Sequence, residues 1–198
     1  MTTSEDISNA VEAIQSGELV VYPTETVYGL GADALNPDAI KTVYEVKSRS
    51  RDNPISLAVP TIEEALTVTS PTQREIEFME AFLPGPVTVL VAKKDQVPNI
   101  LTSGRDRVGV RIPDHDIALE LLENVAPITA TSANISGQGS VRQLTELDGK
   151  IKGSVAVQIN GGKTPGNEST VVDISSNTIY RRGANIDAIE QWLETNST

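Results

Sequence analysis

Three cations stand within five residues at Lys47-Ser48-Arg49-Ser50-Arg51, in a chain of 198 residues whose formal net charge is -11. A strongly acidic chain that gathers its cations in one place is suited to hold an anion there. Lys47 and Arg49 are two apart, so in an extended segment they would point the same way. Lysine supplies a compact point charge and arginine a planar fork, a pairing that suits a polyphosphate. A solvated helix end, its cations complementing the helix dipole, accounts for the stretch equally well. Thr131-Ser132-Ala133-Asn134 follows an apolar strand, and the chain leaving a strand end in an α/β sheet is a common ligand position. Ser132 and Asn134 offer a hydroxyl and an amide to phosphate oxygens or a ribose. Taken alone, an ordinary cap or turn explains them better. Gly161-Gly162 through Gly166, then Ser169-Thr170, could bring backbone amides to a ligand. The stretch lacks the Gly-Lys-Ser/Thr ending of a P-loop, and a hairpin connection is the simpler reading. Arg111, at a strand end, could hold a carboxylate. Glu25 could hold a metal but reads as a turn residue, and His115 as a capping or packing residue.

Composition limits the chemistry further. Cysteine is absent, which excludes disulfides, thiolate catalysis and thiolate zinc sites, and the single His115 excludes a multi-histidine centre. The acid excess argues against broad electrostatic binding to nucleic acid while allowing one local basic patch. The N-terminus lacks the basic and apolar regions of a signal peptide, and no apolar run reaches the ~20 residues of a membrane span. A cytoplasmic protein is expected, with one domain and a core of Val, Ile, Leu and Ala, because only 4% of residues are aromatic.

These residues must be positioned by regular elements. Ile7, Val11 and Ile14 recur at helical spacing, with Ser4 as N-cap and Gly17 as the C-terminal stop. Leu19 to Tyr22 is a strand buried on both faces, followed by a hydroxyl-rich turn closed by Gly29 and Gly31. Asn36-Pro37 starts a helix that releases the chain near Lys47. Ile55 to Val59 is a strand. Thr61-Ile62-Glu63-Glu64 and Ser70-Pro71-Thr72-Gln73 read as capping boxes for two helices. Val87 to Ala92, Val108 to Ile112, Ile128 to Ala130 and Val155 to Ile159 are strands, with a helix after Pro113-Asp114. Thr170 to Ile174 and Thr178 to Tyr180 are neighbouring strands, and Ile186 to Leu193 is a closing helix. Strands alternating with helices predict an α/β sheet, antiparallel in its last strands. The two ends are polar and expected to fray.

The order of the motifs is more specific than any one of them. Pro23-Thr24-Glu25-Thr26-Val27-Tyr28-Gly29-Leu30-Gly31, Lys47-x-Arg49, Asn53-Pro54-Ile55, Leu83-Pro84-Gly85-Pro86-Val87-Thr88, Val110-Arg111-Ile112-Pro113-Asp114-His115, Thr131-Ser132-Ala133-Asn134, Ser169-Thr170-Val171-Val172-Asp173 and Tyr180-Arg181-x-Gly183 together resemble the YrdC/TsaC family. These are the threonylcarbamoyl-AMP synthases of tRNA modification. The resemblance covers nearly the whole chain and implies the short form, a single YrdC-like domain over residues 1–198 with its core at about 7–194. The implied fold is a twisted α/β structure, a mixed parallel and antiparallel sheet with flanking helices around a concave, positively charged cavity.

The implied reaction condenses L-threonine, bicarbonate or CO2, and ATP into threonylcarbamoyl-AMP and pyrophosphate. Mg is the implied cofactor, held mainly by the ATP phosphates. Partner proteins would then use the product to form t6A at adenosine 37 of tRNA, with at most weak tRNA or double-stranded RNA contact by this chain and no membrane contact. Carried over by position, Lys47, Arg49, Ser132 and Asn134 match the nucleotide signature, and Ser140 and Arg181 fall where ATP contacts are expected. Asn53 is assigned to ATP too, although it lies in the region expected to hold threonine and its carbamate. Thr24, Thr26, Arg111 and Ser169 match the threonine side. Lys47 and Arg49 are the implied catalytic pair, neutralising triphosphate charge as pyrophosphate leaves. The chain departs from the pattern at Ala58, where some relatives carry a histidine, at Arg107, where Ser or Thr is frequent, and at Ser50, in place of a frequent proline. Two other readings share the fold: a paralogue acting on another carbamoyl or acyl-adenylate substrate, and a double-stranded RNA-binding module. The charge of -11 disfavours the second.

Overall fold

The computed structural model describes residues 4–125 and 127–196. In chain order its elements are α1 (Ser4–Gln15), β1 (Val20–Tyr22), β2 (Gly29–Gly31), α2 (Pro37–Val46), β3 (Ser56–Ala58), α3 (Ile62–Val68), α4 (Gln73–Phe82), β4 (Val87–Ala92), α5 (Asn99–Thr102), β5 (Arg107–Arg111), α6 (Asp116–Val125), β6 (Ile128–Ser132), α7 (Gly149–Lys152), β7 (Val157–Gln158), β8 (Thr170–Asp173), β9 (Thr178–Arg181) and α8 (Ile186–Thr195). The strands form one sheet in the order β7-β1-β2-β6-β3-β5-β4-β8-β9.

The α/β expectation and the mixed parallel and antiparallel sheet implied by the resemblance both hold, with antiparallel pairs along the whole sheet as well as among the last strands. β1 with β2, β2 with β6, β3 with β6, β4 with β5 and β8 with β9 are antiparallel, while β1 with β7, β3 with β5 and β4 with β8 are parallel. One of these strands reads in the sequence as part of a turn. Gly29-Leu30-Gly31 is β2, paired antiparallel with β1. Its glycines are needed for close packing: a Cβ on Gly29 would come within 2.7 Å of the Tyr22 ring.

The sheet's two faces are covered unequally. Val21, Leu57, Val87, Val89, Val91, Val108, Val110 and Val172 join one large apolar cluster with the buried faces of α2, α3, α4 and α8. Side chains alternate along a strand, so Val20, Tyr22, Ala58 and Ile128 fall on the opposite face. There they meet Ala10, Ala13 and Ile14 of α1 and Ala118, Leu121 and Leu122 of α6 in a second cluster. Those two helices cover only part of that face.

Local signals hold with shifts of register. Asn36 caps α2, accepting from Asp38 and Ala39 N–H, with Pro37 in the first turn. The cap of α4 is Thr72, in a box completed by Glu75, and not Ser70. α1 begins at Ser4, so its cap position and the outermost polar ends lie outside the described residues. β6 runs on to Ser132, two residues past the expected end, because Thr131 and Ser132 still pair with Leu30 and Gly29. Among the described residues no helix is long and apolar enough to cross a membrane.

Candidate active site

Beyond α1 and α6 the same sheet face is open, and it forms the base of a cavity of about 950 Å³. Its floor is made of small residues from neighbouring strands: Gly29, Ala130, Ser56 and Gly109 of β2, β6, β3 and β5. The floor is tight. A Cβ on Gly109 would meet Ser56 Oγ at 2.3 Å and Thr88 Cγ2 at 2.9 Å.

Arg111, the last residue of β5, faces the turn between β1 and β2. Its Nη2 donates to Thr26 Oγ1 at 2.6 Å, to Glu25 Oε1 at 2.9 Å and to Thr24 Oγ1 at 3.3 Å. Thr24 Oγ1 is itself fixed by donating to the Val27 carbonyl at 2.7 Å. Arg111 Nε and Glu25 Oε2 are buried without a protein partner. Burial pushes the nearby Tyr22 hydroxyl up to about 12, with Arg111 opposing and Glu25 reinforcing the shift. Glu25 is therefore an ion-pair partner of Arg111 at 2.9 Å, more than a turn residue.

A second cationic group lies across the cavity. Arg49 donates from Nε to the Asn53 carbonyl at 3.0 Å and from Nη2 to the Pro54 carbonyl at 2.9 Å. Arg181 donates to the Ser169 carbonyl at 2.9 Å and to Ser169 Oγ at 2.8 Å, and its Nη1 lies 3.3 Å from Glu168 Oε2. Gly183 permits this: a Cβ there would stand 2.3 Å from the Glu168 carbonyl oxygen. Burial lowers the pKa of both guanidinium groups; Arg181 adds to the effect on Arg49, and Arg111 to that on Arg181.

Lys47 and Arg49 do not lie in an extended segment. α2 ends at Val46 with Lys47 as its C-cap, and Ser48 takes a φ of 50°, so the side chains of Lys47 and Arg49 part. Lys47 is 1% exposed and stands behind the wall, its ammonium donating to the carbonyls of Ser132 and of Asn134, the latter at 2.7 Å. Burial brings its pKa down to about 7; Arg49 adds to the shift and Glu168 opposes it.

The cavity gathers Thr24, Thr26, Arg49, Asn53, Arg111, Ser132, Ser169 and Arg181 on one wall system. Lys47, Asn134 and Ser140 are not part of its lining. The Asn134 amide donates to the carbonyls of Ile135 at 3.1 Å and Gln138 at 2.7 Å, and its Oδ1 accepts from Ser132 Oγ. Ser140 Oγ donates to Glu168 Oε1 at 2.5 Å and so orients the carboxylate beside Arg181. His115 packs near Pro23 and Gly161, and its carbonyl accepts from Leu119 N–H at 2.9 Å at the start of α6. The glycine loop does not present its amides to the cavity. Gly161 N–H donates to Tyr28 Oη at 3.0 Å, Gly162 N–H to Asn160 Oδ1 at 3.0 Å and Gly166 N–H to the Thr26 carbonyl at 2.7 Å.

Sequence reasoning did not place Arg105, Glu168 or Tyr180 on the lining, and it named Arg107 only as a departure from the family pattern. For Arg107 the signal was present, since 107, 109 and 111 share a face of β5 at period two. Its guanidinium is ion-paired with Glu75 and, at 3.1 Å, with Asp173.

Comparison with known proteins follows this geometry. The family model Sua5_yciO_yrdC, described as telomere recombination, matches residues 12–183. A threonylcarbamoyl-AMP synthase of Pyrococcus abyssi is 42% identical over 165 residues, covering 82% of this chain and 48% of that protein. One from Bacillus subtilis is 39% identical over 175 residues, covering 86% and 51%. The chain thus spans about half the length of these two relatives. The crystal structure of P. abyssi Sua5 complexed with L-threonine superposes with a TM-score of 0.89 at 39% identity, covering 94% of this chain and 56% of that one. The order of motifs, the mixed sheet around an arginine-lined cavity and these likenesses agree, and the chain belongs to the Sua5/YciO/YrdC family.

Proposed function

We propose that this chain is a threonylcarbamoyl-AMP synthase, a nucleotidyltransferase acting on ATP, L-threonine and bicarbonate. The observation that carries the proposal is one cavity with two anion-holding groups. Arg111, ringed by the hydroxyls of Thr24 and Thr26, suits an amino-acid carboxylate and its neighbouring polar groups. Arg49 and Arg181 suit phosphate. β5 and β9 are three strands apart in the sheet order, so the backbones that carry Arg111 and Arg181 are separated by about 14 Å. That span accommodates an amino acid beside a nucleotide. The relatives named threonylcarbamoyl-AMP synthase, and the related Sua5 structure with L-threonine, support the choice of substrates.

In the proposed reaction the threonine amine adds to CO2 and loses a proton, or condenses with bicarbonate and loses water, and either route gives the carbamate. A carbamate oxygen then attacks the α-phosphorus, and the bond to the leaving pyrophosphate breaks. The protein's share is positioning and electrostatics: Arg111 orients the carboxylate, while Arg49 and Arg181 offset the charge of the phosphates. Lys47 contributes from behind, by fixing the carbonyls of Ser132 and Asn134. Among the described residues no cluster of three acidic or histidine side chains could hold a metal. Mg, brought in on the ATP phosphates, would there offset part of their charge. The product would be passed on for t6A formation at adenosine 37 of tRNA, in the cytoplasm.

The test is pyrophosphate release from Mg-ATP with bicarbonate, with L-threonine, with serine or with neither, in wild type and in Arg49→Ala and Lys47→Ala. Release that needs both threonine and bicarbonate, and falls at least ten-fold in Arg49→Ala, is the expected result. Release without threonine dependence would instead indicate a paralogue acting on another carbamoyl or acyl-adenylate substrate.

A further inference from the structure

Ser48 is the joint between Lys47, behind the cavity wall, and Arg49, on it. Its φ of 50° is left-handed, a region that glycine enters freely and serine does not. Two backbone hydrogen bonds close the end of α2 around it. Ser48 N–H donates to the Glu45 carbonyl at 3.2 Å, and Arg49 N–H to the Tyr44 carbonyl at 2.9 Å. This helix ending usually has glycine at the left-handed position. Arg49 itself makes the second bond, so the backbone of Ser48 sets the direction in which Arg49 leaves the helix.

A serine held in this conformation needs support from its surroundings, and the support comes from α7. Lys150 Nζ donates to the Glu45 carbonyl at 2.5 Å and to Ser48 Oγ at 3.0 Å. One ammonium thus grips both the side chain of Ser48 and the carbonyl that receives its N–H. The backbone of Lys150 is fixed in turn, because its N–H donates to the Asp148 cap at 2.8 Å. Lys150 is exposed and lies outside the cavity lining. A cation at a helix C-terminus also favours the helix dipole. That role needs only the carbonyl, whereas the bond to Ser48 Oγ acts on the joint.

We infer that Lys150 is a positioning residue for Arg49: it holds Ser48 left-handed and so keeps the Arg49 guanidinium on the cavity wall, against the carbonyls of Asn53 and Pro54. Without it, Ser48 relaxes to right-handed backbone in part of the molecules. Only the remainder then presents Arg49 to an anion, and apparent affinity falls by that fraction. The inference rests on the reading of Arg49 as a phosphate ligand.

Calorimetric titration of the full chain with Mg-tripolyphosphate tests it, in wild type, Lys150→Met, Ser48→Gly and the double variant. Affinity is expected to fall roughly five-fold in Lys150→Met, the order set by the strain of a left-handed residue other than glycine. Glycine adopts a positive φ unaided, so adding Lys150→Met to Ser48→Gly is expected to change affinity by less than about two-fold. Wild-type affinity in Lys150→Met overturns the inference, and with a lowered Tm it would leave Lys150 as a helix cap only. A loss that persists undiminished in the Ser48→Gly background also overturns it, since Lys150 would then act through its charge and not through the joint. A wild type that binds no tripolyphosphate removes the phosphate reading of Arg49, and the inference with it.

Discussion

Lys47 sets charge against burial. It is 1% exposed, yet it sits against two carbonyls that stabilise an ammonium, with Arg49 opposing the charge. With a folded-state pKa of about 7 against 10.5 for the ordinary side chain, the unfolded chain holds the extra proton between those values. Stability contributed by this residue therefore rises with pH from about 7 toward 10.5, with a slope of at most about 1.4 kcal/mol per pH unit. Urea unfolding of wild type and Lys47→Met at several pH values across that window is expected to show wild type gaining on the variant as pH rises. Parallel curves would mean that Lys47 stays charged throughout. The sequence singled out Lys47 and Arg49 by charge, but the left-handed Ser48 that separates them has no signature a helix end must show. That is why a pair expected to point together divides between the wall and the space behind it.

At the scale of elements, Glu75 joins a helix to the cavity. It completes the capping box of α4, accepting from Thr72 N–H at 2.6 Å, and it holds the guanidinium of Arg107 on β5. Arg107 also reaches Asp173 of β8 and the Leu90 carbonyl of β4, at 3.1 Å and 2.5 Å. The Glu75 and Asp173 side chains are 1% and 7% exposed. Removing the cation leaves two buried carboxylates without their counterion, so Arg107→Ala is expected to destabilise the fold by about 3 kcal/mol. Part of that loss is expected to return in Arg107→Ala combined with Glu75→Gln. Chemical denaturation of the two variants decides this, and an Arg107→Ala protein as stable as wild type would show that the triad contributes nothing. The strands and longer helices were legible because their apolar periods and caps are local. The short α5 and α7 were not, since four residues carry too little pattern. β2 was hidden because its two glycines resemble a turn, and only the packing of the Tyr22 ring reveals why they stand in a strand.

At the scale of the whole molecule, the sheet explains why the sequence could offer candidate residues but not say which of them share one cavity. Pro23-Thr24-Glu25-Thr26 and Arg111 are more than eighty residues apart in sequence, and only the order β2-β6-β3-β5 brings them together. One face of the sheet packs against α2, α3, α4 and α8, while on the other α1 and α6 stop short and leave a floor of Gly29, Ala130, Ser56 and Gly109. Nucleotide and amino acid together would then serve as the absent part of a third layer. A ligand at a hundred times its Kd adds about 2.7 kcal/mol, which in a domain of this size raises Tm by roughly 5 to 10 °C. Thermal melts with Mg-ATP and L-threonine are expected to show that rise, and an unchanged Tm at saturation would contradict it. On the proposed function the substrates would be a removable storey of the building: the layer would be completed when they bind and opened again when the product leaves.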